Sequence, residues 1–413
     1  MPTRSRPVAL AAGVAGDLRR DGSVAVLLAV SFGWFLTLGV RVVYPTLLPG
    51  VTGEFGVGNA TAGLFVGALW TTYALLQFPG GVLADAVGER LVLAGSAVLT
   101  AVAVVAVAAA ATVEAFVAAT VVLGLATGLY GTTRITVVAA TYDRMAATAI
   151  AVSQAAGNVG NVVLSAGAGA VAAWLGWRWG FGGLVPLIGL GAVGLWLAVP
   201  RSAGETAADE SFRETMRRVV AAVRRPRVLA TFALLALNML LYQSVTGFLP
   251  TYLVAQKGLA PATAATLYGG FFAAAIAVQF LAGAVADRRG ERVAIAAFVG
   301  LSVPAFVLLT VAESLATVVA SVLLLSSLLG GMPPINTAGV GALPDEIRGS
   351  GFGLLRTGYI AFGAVGPPIV GVLADAGRFD GAFLLLGGVA LALAGWGLVF
   401  ERVGTARDGR QSL

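Results

Sequence analysis

Neither cysteine nor histidine occurs among the 413 residues. Without cysteine, disulfides and thiolate chemistry are excluded. Without histidine, the chain lacks the side chain that titrates nearest neutrality and the commonest metal ligand, so neither a metal centre nor a cofactor is expected. Charge is scarce at 11% of residues, against about 25% in a soluble domain, and Lys257 is the sole lysine. No GxxxxGK[ST] loop is present to cradle a nucleotide phosphate, which argues against built-in ATP hydrolysis. Catalysis is not expected either. No mid-span pair of carboxylates is available for acid-base work, and Tyr142-Asp143, half of an intramembrane aspartyl protease pair, is followed by no GxGD. What is present is apolar: 58% hydrophobic residues and 56 glycines, the composition of helices that pack closely through small residues in a lipid bilayer. The formal charge of +6 comes from arginines lying mostly between apolar runs, so it reflects membrane topology and implies no nucleic-acid partner.

The chain is internally repeated. GVLADAVGER at residues 81–90 returns as GAVADRRGER at residues 283–292, and Gln77-Phe78 upstream returns as Gln279-Phe280. A repeat of about half the chain, each copy closing an apolar stretch long enough to cross a bilayer, points to a transporter built from paired halves.

Windows of about 19 residues predict spans over 24–48, 60–84, 91–111, 115–137, 147–172 and 180–199, then over 228–254, 262–286, 293–312, 315–338, 350–374 and 381–400. Each is long enough, at about 1.5 Å per residue, to cross about 30 Å of hydrocarbon. The expected fold class is therefore an all-α polytopic membrane protein with twelve transmembrane helices arranged as two six-helix bundles. The domain reading is a tail at 1–23, a bundle at 24–199, a linker at 200–227, a second bundle at 228–401 and a tail at 402–413. Residues 1–23 are not expected to form a cleaved signal, because the apolar run that follows is too long for a signal's apolar region. In the linker, apolar residues at helical spacing, with Asp209–Arg213 and Glu214–Arg218 at i,i+4, predict an amphipathic helix on the inner membrane surface.

With the amino terminus in the cytoplasm, only Arg178, Lys257 and Arg378 fall in outer loops, Arg41, Arg134 and Arg356 fall inside spans, and the remaining 20 basic residues are inside. The positive-inside rule then places both termini and the linker in the cytoplasm of a multi-pass cell-membrane protein.

In the repeated loops, Asp85 follows a helix carboxyl end, where the macrodipole disfavours negative charge. It needs a partner, and Arg90 and Arg144 are available; the second copy repeats this with Asp287, Arg292 and Arg348. Gly81 and Gly283 are expected to admit a neighbouring helix, and Gly88 and Gly290 to make tight turns. These ten residues read as a conformational latch that holds the cytoplasmic side shut and releases it as the halves rotate.

These loops resemble the signature loops of the major facilitator superfamily. Asp143-Arg144, Gly176-Trp177-Arg178-Trp179, Gly351-Phe352-Gly353 and Gly366-Pro367-Pro368 are further features similar to that family's. The resemblance spans about residues 24 to 400. It implies two six-helix bundles, a central cavity lined chiefly by helices 1, 4, 7 and 10, and alternating access. Two positions depart from it. Thr120 stands four residues before Gly124 where the family often has Arg, and Asn161 follows Gly157 and Gly160 where antiporters call for Pro; both count against a drug-proton antiporter.

Arg41 is the leading candidate for substrate contact. A mid-span guanidinium costs about 2.5 to 3.5 kcal/mol on insertion scales, so it is expected to face a wet cavity or a partner, with snorkelling to the outer surface as the structural alternative. Trp34, Thr37 and Tyr44 lie near it on the helix. Arg356 with Tyr359 could form the other side of an anion site. It lies where the first half, at the repeat spacing, has Gln154. Arg134 reads as an inner-end anchor. Asn238, Tyr242 and Gln243 read as cavity hydrogen-bonding residues, with interhelical bonding as the alternative. The expectation is a monomeric secondary transporter for a small solute, with a small organic anion favoured over a neutral sugar or a lipophilic drug. A coupling ion is a candidate partner, and a non-transporting membrane receptor is the reading from another class.

Overall fold

The structure is a computed structural model; it describes residues 17–201, 217, 225–343 and 348–400, with the backbone alone described at 348–350. The linker helix expected near 209–223 lies outside the described residues, as does the Arg348 side chain.

Every described element is helical. Among the described residues, eleven helices are long and apolar enough to cross a membrane, and a bent pair, taken as one span, makes the twelfth. The first half contains Val24–Phe55, the bent pair Asn59–Leu75 and Gln77–Val87, Glu89–Ala109, Val113–Thr141, Ala146–Leu175 and Trp177–Ala198. The second contains Pro226–Ala255, Pro261–Arg289, Glu291–Val311, Leu315–Gly341, Gly351–Asp375 and Phe379–Val399. These are called the first to the twelfth span below.

The span positions follow the hydropathy, and the interruptions follow proline and glycine. The second span bends by 41° at Leu76, because Pro79 cannot donate to the carbonyl of Leu75 and its ring clashes there. The tenth span was expected to be continuous. Instead it narrows to a 3₁₀ turn at Ser326–Gly331 before resuming at Met332, where Pro333 and Pro334 withhold the N–H groups that the Leu329 and Gly330 carbonyls would take. The first span outruns its expected end and continues through Pro45 and Pro49 to Phe55, stopping at Gly56 with φ 62°. In the seventh span, the Thr246 carbonyl that Pro250 leaves without a helical donor accepts the Tyr268 hydroxyl at 2.6 Å. Neighbouring side chains can thus support proline inside a span.

The repeat persists in the capping of helix ends. Arg178 donates to the carbonyls of Ala108 and Ala110 at the end of the third span and pairs with Glu54 at 2.6 Å. Lys257 donates to Thr310 and Ala312 at the end of the ninth span. These carbonyls are related by the same 202-residue offset as the repeated loops, and cationic groups there offset the helix dipole.

The halves close upon each other at the end that carries residues 56–58 and 376–378. A Cβ placed on Gly63 would lie 2.6 Å from the Pro367 carbonyl oxygen, and one on Gly371 would lie 2.2 Å from the Asn59 carbonyl oxygen, so the second and eleventh spans touch backbone to backbone. There the Asp375 carboxylate accepts the Asn59 and Ala60 backbone N–H groups at 2.7 and 2.8 Å and the Asn59 amide at 3.1 Å. The fifth and eighth spans form a second seam through Gly169 beside Ala265 and Gly269 beside Val162.

Candidate functional site

Between these seams and the end bearing the repeated loops lies a partly open cavity of about 430 Å³, lined from both halves. Its walls follow helical spacing. The first span contributes Trp34, Leu38, Arg41, Val42 and Pro45; the second, Val66, Leu69, Trp70 and Tyr73; the seventh, Leu235, Asn238, Met239, Tyr242 and Thr246. Such residues share one helix face. The lining extends past Gln279 and Phe352 toward the loop side.

Arg41 is 5% exposed and faces this cavity, which decides against snorkelling. Its Nε donates to the Thr37 carbonyl at 3.3 Å. Its guanidinium lies 4.0 Å from the Tyr73 ring centroid, 5.1 Å from Trp70 and 5.7 Å from Trp34. An aromatic box of this kind steadies a cation through the ring quadrupoles without neutralising it. Arg356, from the eleventh span, also lines the cavity, as does Tyr359, and Tyr73 lies near both guanidinium groups.

Arg134 stands behind this wall. It is 4% exposed, lies 4.3 Å from the Trp34 ring centroid, and donates to the Ser153 hydroxyl at 2.9 Å and the Gln154 side-chain oxygen at 3.2 Å. It is therefore built into the bundle beside the cavity rather than extended to the inner surface. Among the described residues, no Asp or Glu lines the cavity.

Two sequence candidates are not brought to the cavity. Tyr44 turns into the first bundle, where its hydroxyl shares a 2.7 Å hydrogen bond with Thr120 and its ring packs on Phe116 and Phe181. Gln243 donates to the Ile360 carbonyl at 3.0 Å, which ties the seventh span to the eleventh. Asn238 and Tyr242 do line the cavity. The amide of Asn238 donates to Met332 Sδ at 2.8 Å, and the Tyr242 ring meets Trp70 edge-on across the two halves at 5.9 Å. Sequence reasoning missed Trp70 and Tyr73; the signal was their register with Val66 and Leu69 at i, i+3, i+4 and i+7.

Of the latch residues, Gly88 and Gly290 turn with φ of 89° and 88°, a region open mainly to glycine. Gly81 and Gly283, expected to admit a neighbouring helix, have no atom within 4 Å of an added Cβ, so among the described residues no helix approaches them in this conformation. Asp85 is exposed, and among the described residues it forms no ion pair with Arg90 or Arg144. Arg90 instead lies over the Trp196 ring at 4.2 Å. The backbone N–H of Arg144 donates to Asp21 at 3.0 Å, which caps the start of the fifth span.

The sequence profile of the Major Facilitator Superfamily matches residues 28–342 and 256–411, so the chain belongs to that superfamily and is a membrane transporter of its fold. No curated protein sequence matches it. Among solved structures it is similar to a bacterial homolog of the human lysosomal transporter Spinster, inward-facing and unoccupied, with TM-score 0.78 and 16% identity over 92% of this chain and 97% of that one. The nucleoside transporter NupG aligns with TM-score 0.77 and 15% identity over 91% and 99% of the two chains. A D-xylose-proton symporter aligns with TM-score 0.74 and 16% identity over 91% and 97%.

Proposed function

We propose that the chain is a secondary active transporter that works by alternating access and carries a small organic anion, such as a carboxylate. One observation carries this reading: guanidinium groups from both halves converge on a cavity that, among the described residues, no carboxylate lines. An uncompensated buried cation costs several kcal/mol, and an entering anion relieves that cost through charge-assisted hydrogen bonds. Arg41 and Arg356 are the anion's contacts. Tyr73, Tyr242 and Tyr359 line its path, and Asn238 supplies a hydrogen-bonding group.

On the topology read from the arginine distribution, the sealed end faces outward and the molecule sits in its inward-facing state in the cell membrane, as a monomer with both termini cytoplasmic. The latch residues engage in the opposite state, with Asp85 pairing with Arg90 or Arg144 as the inner ends come together. The aromatic and amide lining, Trp70 and Tyr242 with Asn158, Asn161 and Asn336, supports a second reading. A neutral sugar or nucleoside, like those in the names of two structural neighbours, would stack and hydrogen-bond there.

The test is uptake into proteoliposomes, which also separates a transporter from a receptor. Arg41→Ala abolishes uptake of an organic anion while the protein remains folded and inserted. Arg41→Lys weakens it about tenfold, since a lost charged hydrogen bond is worth about 1.5 kcal/mol. Normal uptake by Arg41→Ala, or transport of neutral sugars alone, rules out the anion reading.

A further inference from the structure

We infer that the transported anion carries two charges at its two ends, as a small dicarboxylate does. One end is gripped by Arg41 of the first half and the other by Arg356 of the second, so that one molecule ties the halves together. This rests on the anion reading above and adds the number and placement of the charges.

Charge balance is the first ground. Arg41 and Arg134 are 5% and 4% exposed, Arg356 lines the cavity that Arg41 faces, and among the described residues no acid lines it. A singly charged ligand leaves two of these three cations uncompensated in a low-dielectric site, and each costs several kcal/mol; a second charge removes much of the remainder.

Unsatisfied donors are the second. The indole N–H of Trp34 and the Nε groups of Arg134 and Arg356 are buried with no acceptor, and Trp34, 2% exposed, lines the cavity. A buried donor without a partner costs about 1–3 kcal/mol, and carboxylate oxygens are acceptors only. Donors therefore wait on both sides of the cavity.

The repeat supplies the third ground. At the 202-residue offset, Arg41 corresponds to Gln243, Arg134 to Asn336 and Arg356 to Gln154. Each pair holds one guanidinium and one neutral amide. Charge is thus distributed across both halves without being doubled at any equivalent position, which suits a ligand charged at two ends better than one charged at a single point. Arg134, already bound to Ser153 and Gln154, contributes its field, while Arg41 and Arg356 make the contacts. A cavity of about 430 Å³ limits the ligand to a small molecule.

The experiment is calorimetric titration of the purified full chain near neutral pH and at constant ionic strength with succinate, propionate, glycerol phosphate and a neutral sugar. Succinate is expected to bind about tenfold or more tightly than propionate and more tightly than glycerol phosphate, whose charges sit on one group. Equal binding of succinate and propionate overturns the two-ended grip while the anion reading stands. Tighter binding of glycerol phosphate overturns it too. Binding of the sugar with no anion binding fails both. In Arg356→Gln the succinate-to-propionate preference is expected to fall close to one; a retained preference places the second contact elsewhere and overturns the inference. Arg356→Lys, which keeps the charge, is expected to hold part of the preference should the Gln variant fold poorly.

Discussion

Tyr73 shows how much one side chain contributes to this site. Its ring lies under Arg41 at 4.0 Å and it lies near Arg356 as well, so its oxygen is placed to interact with two cations that repel each other. Tyr73→Phe keeps the ring and removes the oxygen. The expected result is an anion KM raised about three- to tenfold, the loss of a hydrogen bond to charged groups, with a nearly unchanged melting temperature. An unchanged KM would show that the hydroxyl does not help arrange the guanidinium pair. Arg41 could be singled out from the chain alone because a mid-span guanidinium is rare and costly. Tyr44 could not be dismissed so easily. It lies three residues on, and the cavity face of the first span runs through positions 34, 38, 41, 42 and 45. Arg41 is at one edge of that face, and Tyr44 falls beyond the edge, against Thr120.

The second and eleventh spans form a seam that can hold because its parts are small or rigid: Gly63, Gly67 and Gly371 against Ala364, Pro367 and Pro368. At the sealed end Asp375 caps the start of the second span across the halves, satisfying two N–H groups that a helix start leaves without partners. The repeated loop is the opposing element at the other end of the molecule. The two acids are therefore expected to act in opposite directions. Asp375→Ala removes a cap worth about 0.5–1 kcal/mol at an exposed site, a two- to fivefold shift toward the state open on the sealed side. Asp85→Asn shifts the population toward the conformation described above. In this cysteine-free background, single cysteines placed at Val66, near the outer seam, and at Val82, near the latch, report the two openings by their labelling rates. The Val66 probe is expected to label faster in Asp375→Ala, and the Val82 probe in Asp85→Asn. No change in either rate would mean that these carboxylates do not set the balance. The sequence contained the latch as a repeated motif; Asp375 closes the same GVLAD string as Asp85, at residues 371–375, but its role became visible only when folding brought it to Asn59, 316 residues away in the chain.

For the whole molecule, orientation follows from arginine placement. A reporter inserted at residue 215 and one at the carboxyl terminus are expected on the cytoplasmic side, and one near Gly58 on the outside, since 20 basic residues stand on one side against three on the other; a reporter at 215 found outside would overturn the assignment. The sequence by itself determined the twelve spans, their pairing into two halves and the repeated loops, because bilayer thickness, hydropathy and internal repetition are properties written along the chain. Local chemistry likewise determined the breaks, at Pro79, at Pro333-Pro334 and at the glycines of positive φ. Only the tertiary structure decided which faces meet. It joined Arg41, Tyr73 and Arg356 from three different spans, turned Tyr44 and Gln243 away, drew Arg134 from an inner-end role to the back of the cavity, and sealed one end while leaving Asp85 without Arg90 or Arg144. The physical reason is that apolar surface drives helices into lipid without distinguishing one helix face from another. Close packing of small residues and the satisfaction of buried polar groups choose the partners, and those terms exist only between segments far apart in sequence.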